Sequence, residues 1–109
     1  MTRYEILKKI TELRERAQRI AQGAEYADSN AQRQRELAGA AKLMAEADAL
    51  ELLEALIKST NELEELINER HDLIAKREYC SRLDRDRELD LSIVHENREL
   101  IAKALGEQS

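Results

Sequence analysis

Proline, phenylalanine and tryptophan are absent from this 109-residue chain, and glycine occurs only at Gly23, Gly39 and Gly106. Proline breaks helix interiors and glycine weakens them, so their scarcity beside abundant Ala, Leu, Glu, Arg and Lys predicts long helices with few interruptions. The shortage of aromatics, with only Tyr4, Tyr26 and Tyr79 present, removes the side chains that bury most area and predicts a thin core of Leu, Ile and Ala. Without a glycine-rich loop there is no phosphate cradle, which argues against nucleotide-binding enzymes.

Other absences narrow the chemistry. A lone cysteine, Cys80, cannot make an internal disulfide, and no basic start leads into an apolar run, so the expected compartment is a reducing cytoplasm. No stretch is apolar enough to span a bilayer, so no membrane association is expected. Only His71 and His95 are available as imidazole ligands. The residues three before them are Asn68 and Ser92, not the glutamates of a di-iron bundle, and Glu99 stands where a zinc protease helix needs its second histidine. No metal, no cofactor and no catalytic residue is therefore expected, with both histidines at surface or boundary positions and Cys80 as a small core residue.

What is present is helical periodicity. Thr2 and Glu5 have the spacing of a capping box, opening a helix whose Ile6, Ile10, Leu13, Ala17, Ile20 and Ala24 follow in steps of four and three. Such a seam demands a partner helix, and Ile6, Ile10, Leu13, Ala17 and Ile20 are read as an oligomer seam. Asp28-Ser29-Asn30 is the strongest turn signal, with Ser29 and Gln32 repeating the cap spacing. Beyond it, Leu37, Ala38, Ala41, Ala45 and Ala49 mirror Ala17, Ala21 and Ala24, predicting an alanine-lined hairpin. Gly23 and Gly39 are read as close-contact sites and Gly106 as a helix terminator.

Ser59-Thr60-Asn61-Glu62 predicts a kink or short break. After it, Leu63, Leu66, Ile67, Leu73 and Ile74 restore the stripe, and Cys80-Ser81-Arg82-Leu83-Asp84 predicts a second turn. The last helix carries Leu89, Ile93, Val94, Leu100, Ile101, Ala104 and Leu105 on one side, with Asn97 among them as a device that fixes register or oligomer state. The expected fold is all-α: antiparallel hairpins forming a three- to four-helix bundle completed by homo-oligomerisation, a dimer above all. It is one domain, 1–109, with helices near 3–27, 30–58, 61–80 and 84–105.

The net charge of −5 argues against nucleic acid as partner. The first helix is locally basic, but Glu5 with Lys9, Glu12 with Arg16 and Glu15 with Arg19 are i,i+4 pairs that can neutralise its face. Residues 46–69 carry eight acids against Lys58 alone, a local net of −7. From this block, Glu51, Glu54, Glu62, Glu65 and Glu69 are candidates for a partner-binding acidic face, or for pairing with the basic first helix. Arg77, Arg82 and Arg85 are candidates for anion binding.

Leu66-Ile67-Asn68-Glu69-Arg70-His71-Asp72-Leu73 resembles the long-helix pattern of the all-helical chorismate mutases, and Asp84 to Glu88 resembles their acidic second-helix segment. The resemblance implies an arginine early in the long helix and a lysine further along it to hold a dicarboxylate substrate. Leu53 and Ser81 stand at those positions, so the cations on which that rearrangement depends are missing and the family's sites do not carry over. The expected function is non-enzymatic: an interaction protein that binds another protein through charged helix faces as a regulator, adaptor or inhibitor. By size and acidity alone it resembles the small phage proteins that block host defences. An oligomeric binder of small anions is the alternative.

The seam gives the first test. Leu13→Asp places an unpaired charge in it, and a large fall in the circular dichroism melting temperature is expected; an unchanged melt means the seam is not buried.

Overall fold

The computed structural model describes residues 1–77 and 81–106 and is all-α, with three helices and no strand among those residues. Helix α1 spans Arg3–Ala24, α2 spans Asn30–Arg77 and α3 spans Ser81–Ala104. The chain divides into two compact units, Met1–Glu54 and Ala55–Ser109, with α2 contributing to both. No helix among the described residues is long and apolar enough to cross a membrane.

In the first unit the local signals act as read. Thr2 Oγ1 accepts from the Glu5 amide at 3.2 Å, and Ser29 Oγ accepts from the Gln32 amide at 3.1 Å, so each helix start has a capped donor. Helix α1 ends earlier than expected, at Ala24, where the Tyr26 and Ala27 amides bond back to Gly23 and Ala24. Ile6, Ile10, Leu13, Ala17 and Ala24 are buried, and Ile20 is half-buried. Burial of a large aliphatic side chain contributes about 1.5–3 kcal/mol, which makes Ile6, Ile10 and Leu13 the main apolar store of this hairpin. Their covering helix is α2 of the same chain, so the residues read as an oligomer seam are an intramolecular core.

The alanine face of α2 also differs from expectation. Ala40 and Ala47 are buried, with Leu43 and Leu50 half-buried between and beyond them, whereas Ala38, Ala41, Ala45 and Ala49 are exposed. An alanine-rich run offers several faces of similar width, and the larger Leu43 and Leu50 decide which one turns inward. An added Cβ at Gly23 or Gly39 would meet nothing within 4 Å, so neither glycine is a close-contact site. Gly106 has φ 75°, in the left-handed region that ends helices, and its amide bonds to the Lys103 carbonyl at 3.1 Å.

Helix α2 runs unbroken through Ser59-Thr60-Asn61, replacing the expected pair of helices 30–58 and 61–80. The polar side chains are used across the second unit instead of capping a new helix: Thr60 Oγ1 accepts from Asn97 Nδ2 at 3.4 Å, and Asn61 Oδ1 accepts from Arg98 Nη2 at 3.2 Å. Thr60 is 2% exposed. Helix α2 ends at Arg77 and α3 begins at Ser81, so Ser81-Arg82-Leu83-Asp84, read as a turn before a helix at 84, is instead the first turn of α3; Tyr79 and Cys80 lie outside the described residues, as does the reading of Cys80 as a core residue.

Two substitutions separate the alanine faces. Ala47→Leu overpacks a fully buried site and should cost about 1–3 kcal/mol, whereas exposed Ala45→Leu should stay within about 0.5 kcal/mol of the parent. Chemical denaturation measures both, and the reverse ranking would restore the mirrored face.

Candidate docking face

The second unit is held by a seam that is largely polar. Thr60, Glu64, Ile67 and His71 on α2 meet Arg87, Asp90, Val94, Asn97 and Ile101 on α3, both sets in heptad steps. Val94 and Ile101 are the buried aliphatic residues of α3. Around them, His71 Nε2 lies 2.6 Å from Asp90 Oδ2, Arg87 Nη2 donates to Asp72 Oδ1 at 2.6 Å, and Asn97 donates to Thr60. His71 is 4% exposed, not the surface or boundary residue expected, while His95 is exposed. The Nδ1 of His71 and Nε of Arg87 have no hydrogen-bond partner among the described residues. Asn97 is half-buried, with its side chain turned into the seam toward Thr60.

Arg98 closes one edge of this seam. Its Nη1 and Nη2 donate to the two carboxylate oxygens of Glu64 at 2.5 and 3.0 Å, a forked pair with good geometry. That hydrogen bonding holds the Glu64 carboxyl below its ordinary pKa against the opposing effect of partial desolvation, and raises Arg98 above its own. In the first unit Arg14 is raised similarly, chiefly by Glu51 and then by Asp48.

A seam this wide cannot cover the apolar stripes on both helices. Leu63 and Ile67 are half-buried, but Leu66 and Leu73 are each 63% exposed and Ile74 is 37% exposed. On α3 the expected single stripe splits: Val94 and Ile101 turn inward, while Leu89, Ile93 and Leu100 remain 55–66% exposed. Leu66, Glu69, Arg70, Leu73, Ile74 and Arg77 line an open groove of about 510 Å³ along α2. A second groove of about 290 Å³ shares Arg70 and Ile74 and reaches Leu83, Asp86 and Leu89 on α3. Through these two grooves Leu66, Leu73 and Ile74 of α2 and Leu89 of α3 form a continuous face with charged edges, and Ile93 and Leu100 are exposed further along α3.

The candidate acids divide. Glu54 pairs with Arg3 and Glu51 with Arg14, which also reaches Asp48 at 3.3 Å, so these two belong to the first hairpin and not to a free acidic face. The same-helix pairs Glu5–Lys9, Glu12–Arg16 and Glu15–Arg19 are not among the ion pairs that form; Arg3 and Arg14 reach across to α2 instead. Glu62, Glu65 and Glu69 are exposed and have no ion pair among the described residues. The candidate cations do not gather: Arg77 lines the groove on α2, Arg82 points to Asp86 of its own helix at 4.0 Å, and Arg85 is exposed. Leu53 is half-buried on α2 and Ser81 begins a different helix, so neither restores a chorismate mutase site.

No protein-family model matches the chain, and no curated protein or solved structure matches it.

The Glu64–Arg98 pair sets an acid response. Folded Glu64 releases its proton more readily than unfolded Glu64, so the unfolded state binds more protons in the acid range and stability rises with pH there. The contribution is complete above the ordinary carboxylate range and disappears as pH falls through the lower folded value. Thermal melts from neutral to acid pH should show a smaller acid loss in Arg98→Met than in the parent; an identical slope would mean that the pair contributes nothing.

Proposed function

We propose that this chain is a helical interaction protein, acting by offering the uncovered face of its second hairpin to a protein partner. The exposure of Leu66, Leu73, Leu89, Ile93 and Leu100 supports this reading: each is more than half exposed, on neighbouring helices of one unit. Single exposed leucines are ordinary, whereas a contiguous set rimmed by charge marks an interaction surface. Glu62, Glu65 and Glu69 run beside it with their charges unspent, as a polar rim that selects a partner by complementarity.

The expected three- to four-helix bundle and homo-oligomer belong to the same proposal. A two-helix hairpin covers one stripe per helix, and further helices laid on the exposed face would complete a bundle. A surface of this kind suits a regulator, adaptor or inhibitor that works by occupying its target. The anion-binding alternative draws on Arg70 and Arg77 in the α2 groove, but Glu69 in the same groove opposes it, and Arg82 and Arg85 lie elsewhere.

Affinity capture at moderate salt tests the reading with the parent and a Leu66→Glu/Leu73→Glu variant. Both leucines are exposed, so helicity should be unchanged while captured protein falls at least tenfold. An identical captured set from both would overturn it.

A further inference from the structure

The exposed leucines of α2 divide two kinds of edge. At about 100° per residue, Leu66 and Leu73 form a line along the helix. Arg70, Ile74 and Arg77 fall on one side of it, and Arg70 and Ile74 share a groove with Leu83, Asp86 and Leu89 of α3. Glu62, Glu65 and Glu69 fall on the other side, on the edge turned away from α3. The inner edge is of mixed sign, with Arg70 and Arg77 near Asp86, whereas the outer edge carries three acids in succession between Lys58 and Lys76. These three are exposed and make no ion pair among the described residues. Glu51, Glu54 and Glu64, by contrast, are engaged by Arg14, Arg3 and Arg98.

We propose that this face takes an amphipathic helix from a partner protein. Its apolar stripe lies on Leu66, Leu73 and Ile74, and its lysines or arginines run along the edge that meets Glu62, Glu65 and Glu69. The proposal rests on the interaction reading above and names the chemistry of the partner. Leucines seven residues apart, about 10.5 Å along the axis, meet one stripe of a second helix packed at a shallow angle. A helix also arrives with its backbone hydrogen bonds made, so it can lie on apolar side chains that offer its amides and carbonyls nothing. The stretch 62–77 is about 24 Å of helix, the length of a segment of about four turns and short for an interface of about 800 Å² per partner between two folded domains.

Charge decides between helical occupants. A second copy related by a twofold axis sets the glutamate edge against the same edge, and an acidic helix also brings like charges together. A basic edge gives all three acids a partner across the contact. The inner edge, with both signs present, does not select.

Two labelled helical peptides of about 18 residues test this by fluorescence anisotropy. Each has leucine at the a and d positions and glutamine elsewhere, except for one flanking row that is lysine in the first and glutamate in the second. The lysine peptide should bind the parent at least tenfold tighter than the glutamate peptide at low salt, with the difference shrinking as salt rises. Glu62→Gln/Glu65→Gln/Glu69→Gln should abolish the preference. Glu12→Gln/Glu15→Gln/Glu25→Gln, which removes the same charge from exposed positions of the first unit, should retain it. Leu66→Gln/Leu73→Gln, which removes apolar surface without changing charge, should weaken the lysine peptide at least tenfold. Equal binding of the two peptides, binding of neither, or loss of the preference in the Glu12/Glu15/Glu25 variant overturns the proposal. Binding of neither by a parent that sediments as a dimer assigns the face to a second copy instead. If neither peptide binds while Leu66→Glu/Leu73→Glu still loses captured protein, the basic helix fails and the interaction reading stands. If the lysine peptide behaves as expected while parent and variant capture the same set, the basic-helix chemistry of the face stands and the interaction reading fails in that lysate.

Discussion

The hydrogen bonds that Asn97 and Arg98 make to Thr60 and Asn61 govern the second half of this protein. Left to themselves, Ser59-Thr60-Asn61 would compete for backbone groups and favour a new helix start. With Asn97 donating to Thr60 and Arg98 to Asn61, those side chains are occupied and α2 continues to Arg77. The same bonds fix the register of α3. A shift of one heptad would separate Thr60 from Asn97, His71 from Asp90 and Glu64 from Arg98 together, and each buried polar group left unpaired costs about 1–3 kcal/mol. Register in turn decides which leucines face inward, so the exposed face of α2 follows from the polar seam on its other side.

The two hairpins solve the same packing problem with different chemistry. In the first, Ile6, Ile10 and Leu13 meet a face of α2 in which Ala40 and Ala47 allow close approach, and the ion pairs of Arg3 and Arg14 run along its edges. Apolar contact does most of the work, and exposed edge pairs contribute little. In the second, Thr60, His71 and Asn97 take positions that a stability-optimised seam would give to leucine. The apolar residues are present in α2 and α3, but on the outside. Such an arrangement gives up intramolecular burial for a defined register and a surface able to bury area against something else.

The features legible in the sequence were those whose partners are close along the chain. The caps at Thr2 and Ser29, the turn near Asp28 and the terminator at Gly106 involve neighbours within a few residues, and the α1 seam is set by its own period. Thr60 was misread because its partner lies 37 residues away, and local spacing cannot distinguish a cap from an interhelical donor or acceptor. His71 was assigned to the boundary for the same reason. The alanine run of α2 gave no unique face, and a stripe containing both Leu66 and Ile67, or both Ile93 and Val94, is wider than one partner helix covers. Heptad steps through Thr60, Glu64, Ile67 and His71 were the available signal, but polar residues at three of the four positions hid it.

The acidic block from residue 46 to 69 shows how one composition feature can serve two ends. Asp48, Glu51 and Glu54 are neutralised by Arg14 and Arg3, so the first part of the block helps α1 fold back on α2. Glu64 belongs to the seam with Arg98. Besides exposed Glu46, what remains is a short row beginning at Glu62 and ending at Glu69, immediately followed by Arg70 and, two turns on, Arg77. The net charge of −5 is therefore spread over different settings, a hairpin edge, a polar seam and an exposed row, and its sign changes from Glu69 to Arg70 between two leucines that the rest of the unit leaves uncovered.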